Sequence, residues 1–233
     1  RFYGELFGWH FEDAGDEYGE YTMCTLHGAR VAGLMPAAEG ERTGWTVYLA
    51  SDDIDETALR IADFGGTLLA DPVDVGTAGR MCLAADPGGA VFGVWEAAQH
   101  AGAQKVNEPG AICWNEVNTR DGKAADDFYR AVFGVKTEQM GDGVNFDYTV
   151  FLVEGRQVGG RLRMTDDWPA DAPAHWMNYF AVDDCDKAAE RVAELGGTVQ
   201  QGPFDSPYGR IAVITDPWGS SLSLMQLADN PPR

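Results

Sequence analysis

Glu116 and His175 are the residues of this sequence best suited to hand a proton to and from a bound molecule. Alternation along the strand-like stretch 111–119 sets Trp114, Glu116 and Asn118 on one face. Along 176–182, Met177, Tyr179 and Ala181 share a face, and His175 extends it by one step. If the two stretches run antiparallel with Trp114 opposite Met177, Glu116 faces His175. The pair could then work as acid and base or receive a cation. The plainer alternative is a solvated Glu116 and a surface His175 beside Pro173. On the last strand-like stretch Ser221, Ser223 and Met225 share a face. Aromatic, thioether and hydroxyl groups with one acid suit a mid-sized, partly apolar organic molecule.

The elements that must hold these residues recur along the chain. Phe2-Tyr3 with Phe7-Gly8 matches Phe128-Tyr129 with Phe133-Gly134, and Trp45, Tyr48 and Asp52-Asp53 match Trp176, Tyr179 and Asp183-Asp184. Gly65-Gly66-Thr67 matches Gly196-Gly197-Thr198, Gly79-Arg80 matches Gly209-Arg210, and Asp86-Pro87-x-Gly89 matches Asp216-Pro217-x-Gly219. Five blocks in one order at nearly constant spacing mark two copies of a module. The expected division is a first module over 1–97, a linker over 98–109 and a second module over 110–229. Repetition gives Thr46, Tyr48 and Trp95 as the first copy's counterparts of the ligand-facing residues.

Within the second copy a strand over 111–119 precedes a helix over 123–133, with Ala125, Phe128, Tyr129 and Val132 at helical spacing. Strands follow at 136–140, 147–153 and 157–164. The order restarts with a strand at 176–182, a helix at 185–195 and strands at 198–202, 210–215 and 221–227. Each copy is thus twice strand–helix–strand–strand–strand, an α+β arrangement. The first copy lacks its opening strand, since Phe2 already lies in the helix. By symmetry roughly 16 residues, a strand and the start of a helix, are expected to precede Arg1.

Composition narrows the partners. Seventeen basic and thirty-seven acidic residues give a formal charge of −20, which repels nucleic acid and anionic lipid. No apolar run reaches the length of a membrane helix. Cys24, Cys82, Cys113 and Cys185 form no C-x-x-C pair and read as reduced thiols of a cytoplasmic protein. His10, His27 and His100 have no ligand spacing, and Arg80 and Arg210 read as strand-start structure. Asp52-Asp53 and Asp183-Asp184 read as helix caps. The Trp168-Pro169 to Pro173 segment is a long loop placed where a lid would sit.

The Phe-Tyr and Phe-Gly helix, the Gly-Gly helix end and the Gly-Arg strand before Asp-Pro-x-Gly resemble the vicinal oxygen chelate superfamily over essentially the whole chain. That group includes glyoxalase I, extradiol dioxygenases, methylmalonyl-CoA epimerase and the bleomycin and fosfomycin resistance proteins. The resemblance implies two tandem modules, each a U-shaped mixed sheet with helices on its convex side and a ligand in the concave cleft. It also implies a divalent metal held by His, Glu or Gln on the first, fourth, fifth and eighth strands of a module. Those places align with Trp114, the 156–164 stretch, Met177 and Ser223 in the second copy, and with Thr46 and Gly93 in the first. None of these side chains suits a hard cation, so no metal and no cofactor is expected.

The reading that results is a metal-free binder of a small organic molecule, cationic or amphiphilic, as a monomer or weak homodimer. Its ligand-facing residues are Trp114, Glu116, Asn118, Met177, Tyr179, Ser221, Ser223, Met225, Thr46, Tyr48 and Trp95. The alternative is an enzyme of the same superfamily, a hydroxylase, lyase or dioxygenase-like protein, with Glu116 and His175 as its candidate catalytic residues. A third reading is a non-catalytic scaffold.

Overall fold

The computed structural model describes residues 1–15, 18–38, 40 and 43–229. In chain order the elements begin with α1 (Phe2–Phe7), β1 (His10–Asp13), β2 (Thr22–Leu26), β3 (Ala29–Leu34) and β4 (Tyr48–Ala50). Next come α2 (Ile54–Asp63), β5 (Thr67–Val75), β6 (Gly79–Ala85), β7 (Val91–Ala97) and β8 (Ile112–Thr119). Then follow α3 (Gly122–Phe133), β9 (Lys136–Met140), β10 (Tyr148–Val153), β11 (Arg156–Arg163) and β12 (His175–Ala181). The chain closes with α4 (Cys185–Glu194), β13 (Thr198–Ser206), β14 (Gly209–Thr215) and β15 (Ser221–Leu227).

Contacts divide the chain into two compact units that cut across the sequence repeats. One holds 1–45, 101–114 and 178–233, the other 46–100 and 115–177. Each therefore joins the first half of one repeat to the second half of the other. The boundaries fall inside β8 and β12, so both strands pass from one unit into the other.

In the first unit, strands pair in the orders β1-β2-β3 and β13-β14-β15-β12. Its core is aromatic: Phe2, Tyr3, Phe7, Trp9 and Phe180 are buried with Val192, Ile214, Leu222 and Leu224 of α4 and its strands. In the second unit the orders are β4-β7-β6-β5 and β8-β11-β10-β9. Here Phe92, Phe128, Tyr129, Phe151 and Trp176 are buried with Ile54, Ile61 and Val117. The face expected for α3, Ala125, Phe128, Tyr129 and Val132, is the face it buries.

The recurring sequence blocks become one hydrogen-bonded device in each unit. In the second, Trp176 Nε1 donates to Tyr129 Oη (3.0 Å), and Tyr129 Oη donates to Asp86 Oδ2 (3.0 Å). Asp86 Oδ1 closes its turn by accepting from the Gly88 and Ala90 amides. In the first, Trp45 Nε1 donates to Tyr3 Oη and Tyr3 Oη to Asp216 Oδ2, while Asp216 Oδ1 accepts from the Trp218 and Ser220 amides. Burial pushes the Asp86 carboxyl up, opposed by the Ala90 amide and the Tyr129 hydroxyl.

Asp53 and Asp184 cap α2 and α4 through the Glu56 and Lys187 amides, as their positions predict. Arg80 and Arg210 follow their glycines and bridge Asp55 and Asp186 in the first turns of those helices. The strand expected to stop at residue 202 instead runs to Ser206. Gly202-Pro203 reads as a breaker, but β13 is an outer strand that absorbs the pair as a register shift between Gln201 and Phe204. All four cysteines are free thiols. No helix of the described residues is long and apolar enough to cross a membrane.

Candidate functional site

In the second unit β8 pairs in parallel with β11. Gly160 pairs with Glu116, Arg161 with Val117 and Leu162 with Asn118. Val117 lies in the core under α3, so alternation turns Glu116 and Asn118 to the opposite face. Arg161, in register with Val117, is 2% exposed and held by Asp126, Asp147 and Thr149. That ion-pair network fastens α3 to β10 and β11 on the core side and leaves the other face to Glu116 and Asn118.

Both of those polar residues are deeply buried, Glu116 at 6% and Asn118 at 2% exposure. Asn118 Oδ1 has no hydrogen-bond partner among the described residues. A buried carbonyl left in that condition costs about 1–3 kcal/mol, which a ligand donor or an ordered water would recover. Beside them lies a residue the sequence reading did not select. A Cβ built on Gly160 would overlap Oη and Cζ of Tyr148, so the phenol occupies the side-chain space next to Glu116. The ring of Tyr148 is stacked on Phe146 at 5.8 Å, within 6° of parallel.

The same exchange of a side chain for a tyrosine recurs. Tyr21 fills the space over Gly33, and Tyr48 fills the space over Gly93. In the first unit Tyr179 stands in register with Ser223 across the parallel pair β12–β15. Ser223 is wholly buried, and its Oγ has no hydrogen-bond partner among the described residues. The signal was present in the sequence as Tyr21 with Gly33 and Tyr148 with Gly160, repeated at the same spacing.

The remaining candidates separate. Met177, Tyr179 and Trp114 are half-buried, Met225 is buried and Ser221 is exposed. Met225 Sδ lies 3.9 Å from Cys113 Sγ. Tyr48 is in edge contact with Trp95 at 6.4 Å, and Trp95 Nε1 donates to the His100 carbonyl. Thr46 is exposed and falls before β4, which begins at Tyr48, so the expected strand position for it does not form. His175 Nδ1 lies 2.9 Å from the Pro173 carbonyl, and its ring is 6.0 Å from that of Trp168. A carbonyl only accepts, so Nδ1 is the donor of this contact.

The donor set does not suit a divalent centre. Among the described residues no three His, Cys, Asp or Glu side chains form a group that could hold a metal ion. The fourth- and eighth-strand places carry Gly160, Gly93 and Ser223 beside tyrosines, which offer phenols instead of carboxylates and imidazoles.

Comparison with known proteins agrees with the fold. The model of the Glyoxalase/Bleomycin resistance protein/Dioxygenase superfamily matches residues 1–94 and 111–224. The chain is 39% identical over 235 residues to the "Putative glyoxylase CFP32" of Mycobacterium tuberculosis, covering 98% of this chain and 89% of that protein. It is 35% identical over 248 residues to the anthracycline biosynthesis protein DnrV of Streptomyces peucetius, covering 99% and 89%. Among solved structures, the Mn(II)-bound glyoxalase from Novosphingobium aromaticivorans matches with a TM-score of 0.63 at 18% identity, covering 97% of this chain and 76% of that one. The dioxygenase LapB from Pseudomonas sp. KL28 matches at 0.65 and 12% identity, covering 99% and 88%. The chain thus belongs to the Glyoxalase/Bleomycin resistance protein/Dioxygenase superfamily, the vicinal oxygen chelate group, as an α+β protein of two modules with curved mixed sheets.

Proposed function

We propose that this protein binds a mid-sized, partly apolar organic molecule without a metal. The residues that would hold it are Glu116, Asn118 and Met177 in the second unit, and Trp114, Tyr179, Ser223 and Met225 in the first. The observation that carries this reading is the pair of buried, unpartnered oxygens, Asn118 Oδ1 and Ser223 Oγ. Polar atoms are rarely buried without a partner; Asn118 shares its strand face with Glu116, and Ser223 stands in register with Tyr179. The name of the Streptomyces relative ties it to anthracycline biosynthesis, which favours a polycyclic metabolite as ligand. The chain's charge of −20 favours a neutral or cationic one.

Thermal-shift titration with a dihydroxyanthraquinone, repeated on Glu116→Gln, tests the reading. Stabilisation of the native protein that grows with the logarithm of ligand concentration is expected, about 2.7 kcal/mol at a hundredfold excess over Kd. Absence of stabilisation by this and by cationic polycyclic probes would leave the scaffold reading in its place.

A second reading is catalytic, with Glu116 as base. It is favoured by the placement of this carboxylate, 6% exposed, on the strand face that it shares with Asn118. Turnover of a bound probe that Glu116→Gln abolishes, with binding retained, would establish it.

A further inference from the structure

The metal-free binding reading leaves open what kind of ligand atom the buried face addresses, and Tyr148 supplies an answer. Its Oη and Cζ stand where a side chain on Gly160 would project. Gly160 is the in-register neighbour of Glu116, and Leu162, the cross-strand partner of Tyr148, is the neighbour of Asn118. The tyrosine therefore runs diagonally across β11, from the level of Asn118 to the level of Glu116, on the face that both residues share. All of this lies within the second unit.

From these positions we infer that Tyr148 is a specificity-determining residue, which with Glu116 and Asn118 reads a hydroxyl or amine donor on a flat aromatic ligand. The inference rests on the binding function proposed above and goes on to name the class of ligand. Asn118 Oδ1 is an acceptor, and it is both buried and unpartnered, so the atom it meets must carry a hydrogen. An ionised Glu116 is likewise acceptor-only. The Tyr148 Oη, like any phenolic oxygen, keeps acceptor lone pairs whatever its own hydrogen meets, and it can take a second hydrogen from the ligand. Phe146, 51% exposed and nearly parallel to Tyr148, extends an aromatic surface along which a planar ring system would lie. A ligand capped as an ether keeps the shape and loses the donor. Selection by a site's buried polar groups is typically stronger than selection by a methylene's worth of volume.

The test compares a dihydroxyanthraquinone with its dimethyl ether by titration calorimetry on the full chain, using native protein, Tyr148→Phe and Asn118→Leu. The native protein is expected to favour the phenol by about tenfold or more, and each variant to reduce that preference below about threefold. Equal affinity for phenol and ether in the native protein, or an undiminished preference in both variants, would overturn the assignment while binding itself stands. A variant that weakens phenol and ether alike would show a packing role and overturn it too. Failure of the native protein to bind either probe would instead remove the binding function on which the inference depends.

Discussion

Tyr129 of the second repeat donates its hydroxyl to Asp86 of the first at 3.0 Å, while its counterpart Tyr3 of the first repeat donates to Asp216 of the second at 2.7 Å. The repeats therefore exchange partners, and each compact unit is tied by one such bond. The motifs that recur along the chain are the parts of this bond and of its tryptophan neighbour. Hydrogen bonds to buried carboxylates are worth about 1.5–3 kcal/mol each. Tyr129→Phe and Tyr3→Phe are each expected to lower stability by that amount in urea denaturation. Tyr129→Phe combined with Asp86→Asn should cost less than the sum of the single changes, because they share a partner.

Arg161 is a buried cation whose donors are taken up by Asp126, Asp147 and Thr149. Arg161→Leu removes the cation and leaves both carboxylates facing each other under α3. The expected loss is about 3–5 kcal/mol, read from the shift in urea midpoint.

The fold was legible because its signals are local. Helical spacing located α3, paired aspartates located two caps, and the Tyr-Trp-Asp-Pro blocks are buried hydrogen-bonding groups that few other residues can replace. The compact units were not legible, because a repeat counted along the chain does not tell which halves pack together. Tyr148 escaped for a related reason: its role depends on the absence of a side chain at Gly160, and a glycine in a strand reads only as a gap. Thr46, placed by its alignment with Met177, lies two residues before β4, whose pairing with β7 begins at Tyr48.

Gly160→Ala offers a check on that gap. The added methyl would occupy the position of the Tyr148 phenol, so the ring must move or the strands part. Overpacking of this kind costs about 1–3 kcal/mol. The variant is expected to lose that much stability and to change the near-ultraviolet circular dichroism of its aromatic groups.

Burial pushes the Cys24 and Cys113 thiols up to about 12 and that of Cys185 to about 11. It drives the Tyr3 and Tyr129 phenols upward as well, with the neighbouring aspartates adding to the effect. These groups keep their protons in the folded chain beyond the pH at which the unfolded chain releases them. The stability they contribute is complete below the ordinary thiol value of 9.0 and is lost as pH rises toward 12. The urea midpoint should therefore fall across this alkaline window. Iodoacetamide at neutral pH should label these three thiols only slowly until the protein is unfolded.

The most direct measurement joins elemental analysis to binding. Protein purified without chelator is assayed for divalent metal, and dihydroxyanthraquinone binding is then measured before and after exhaustive treatment with a chelator. The account predicts no stoichiometric metal and the same Kd in both samples. A stoichiometric divalent ion whose removal abolishes binding, and whose return restores it, would contradict it.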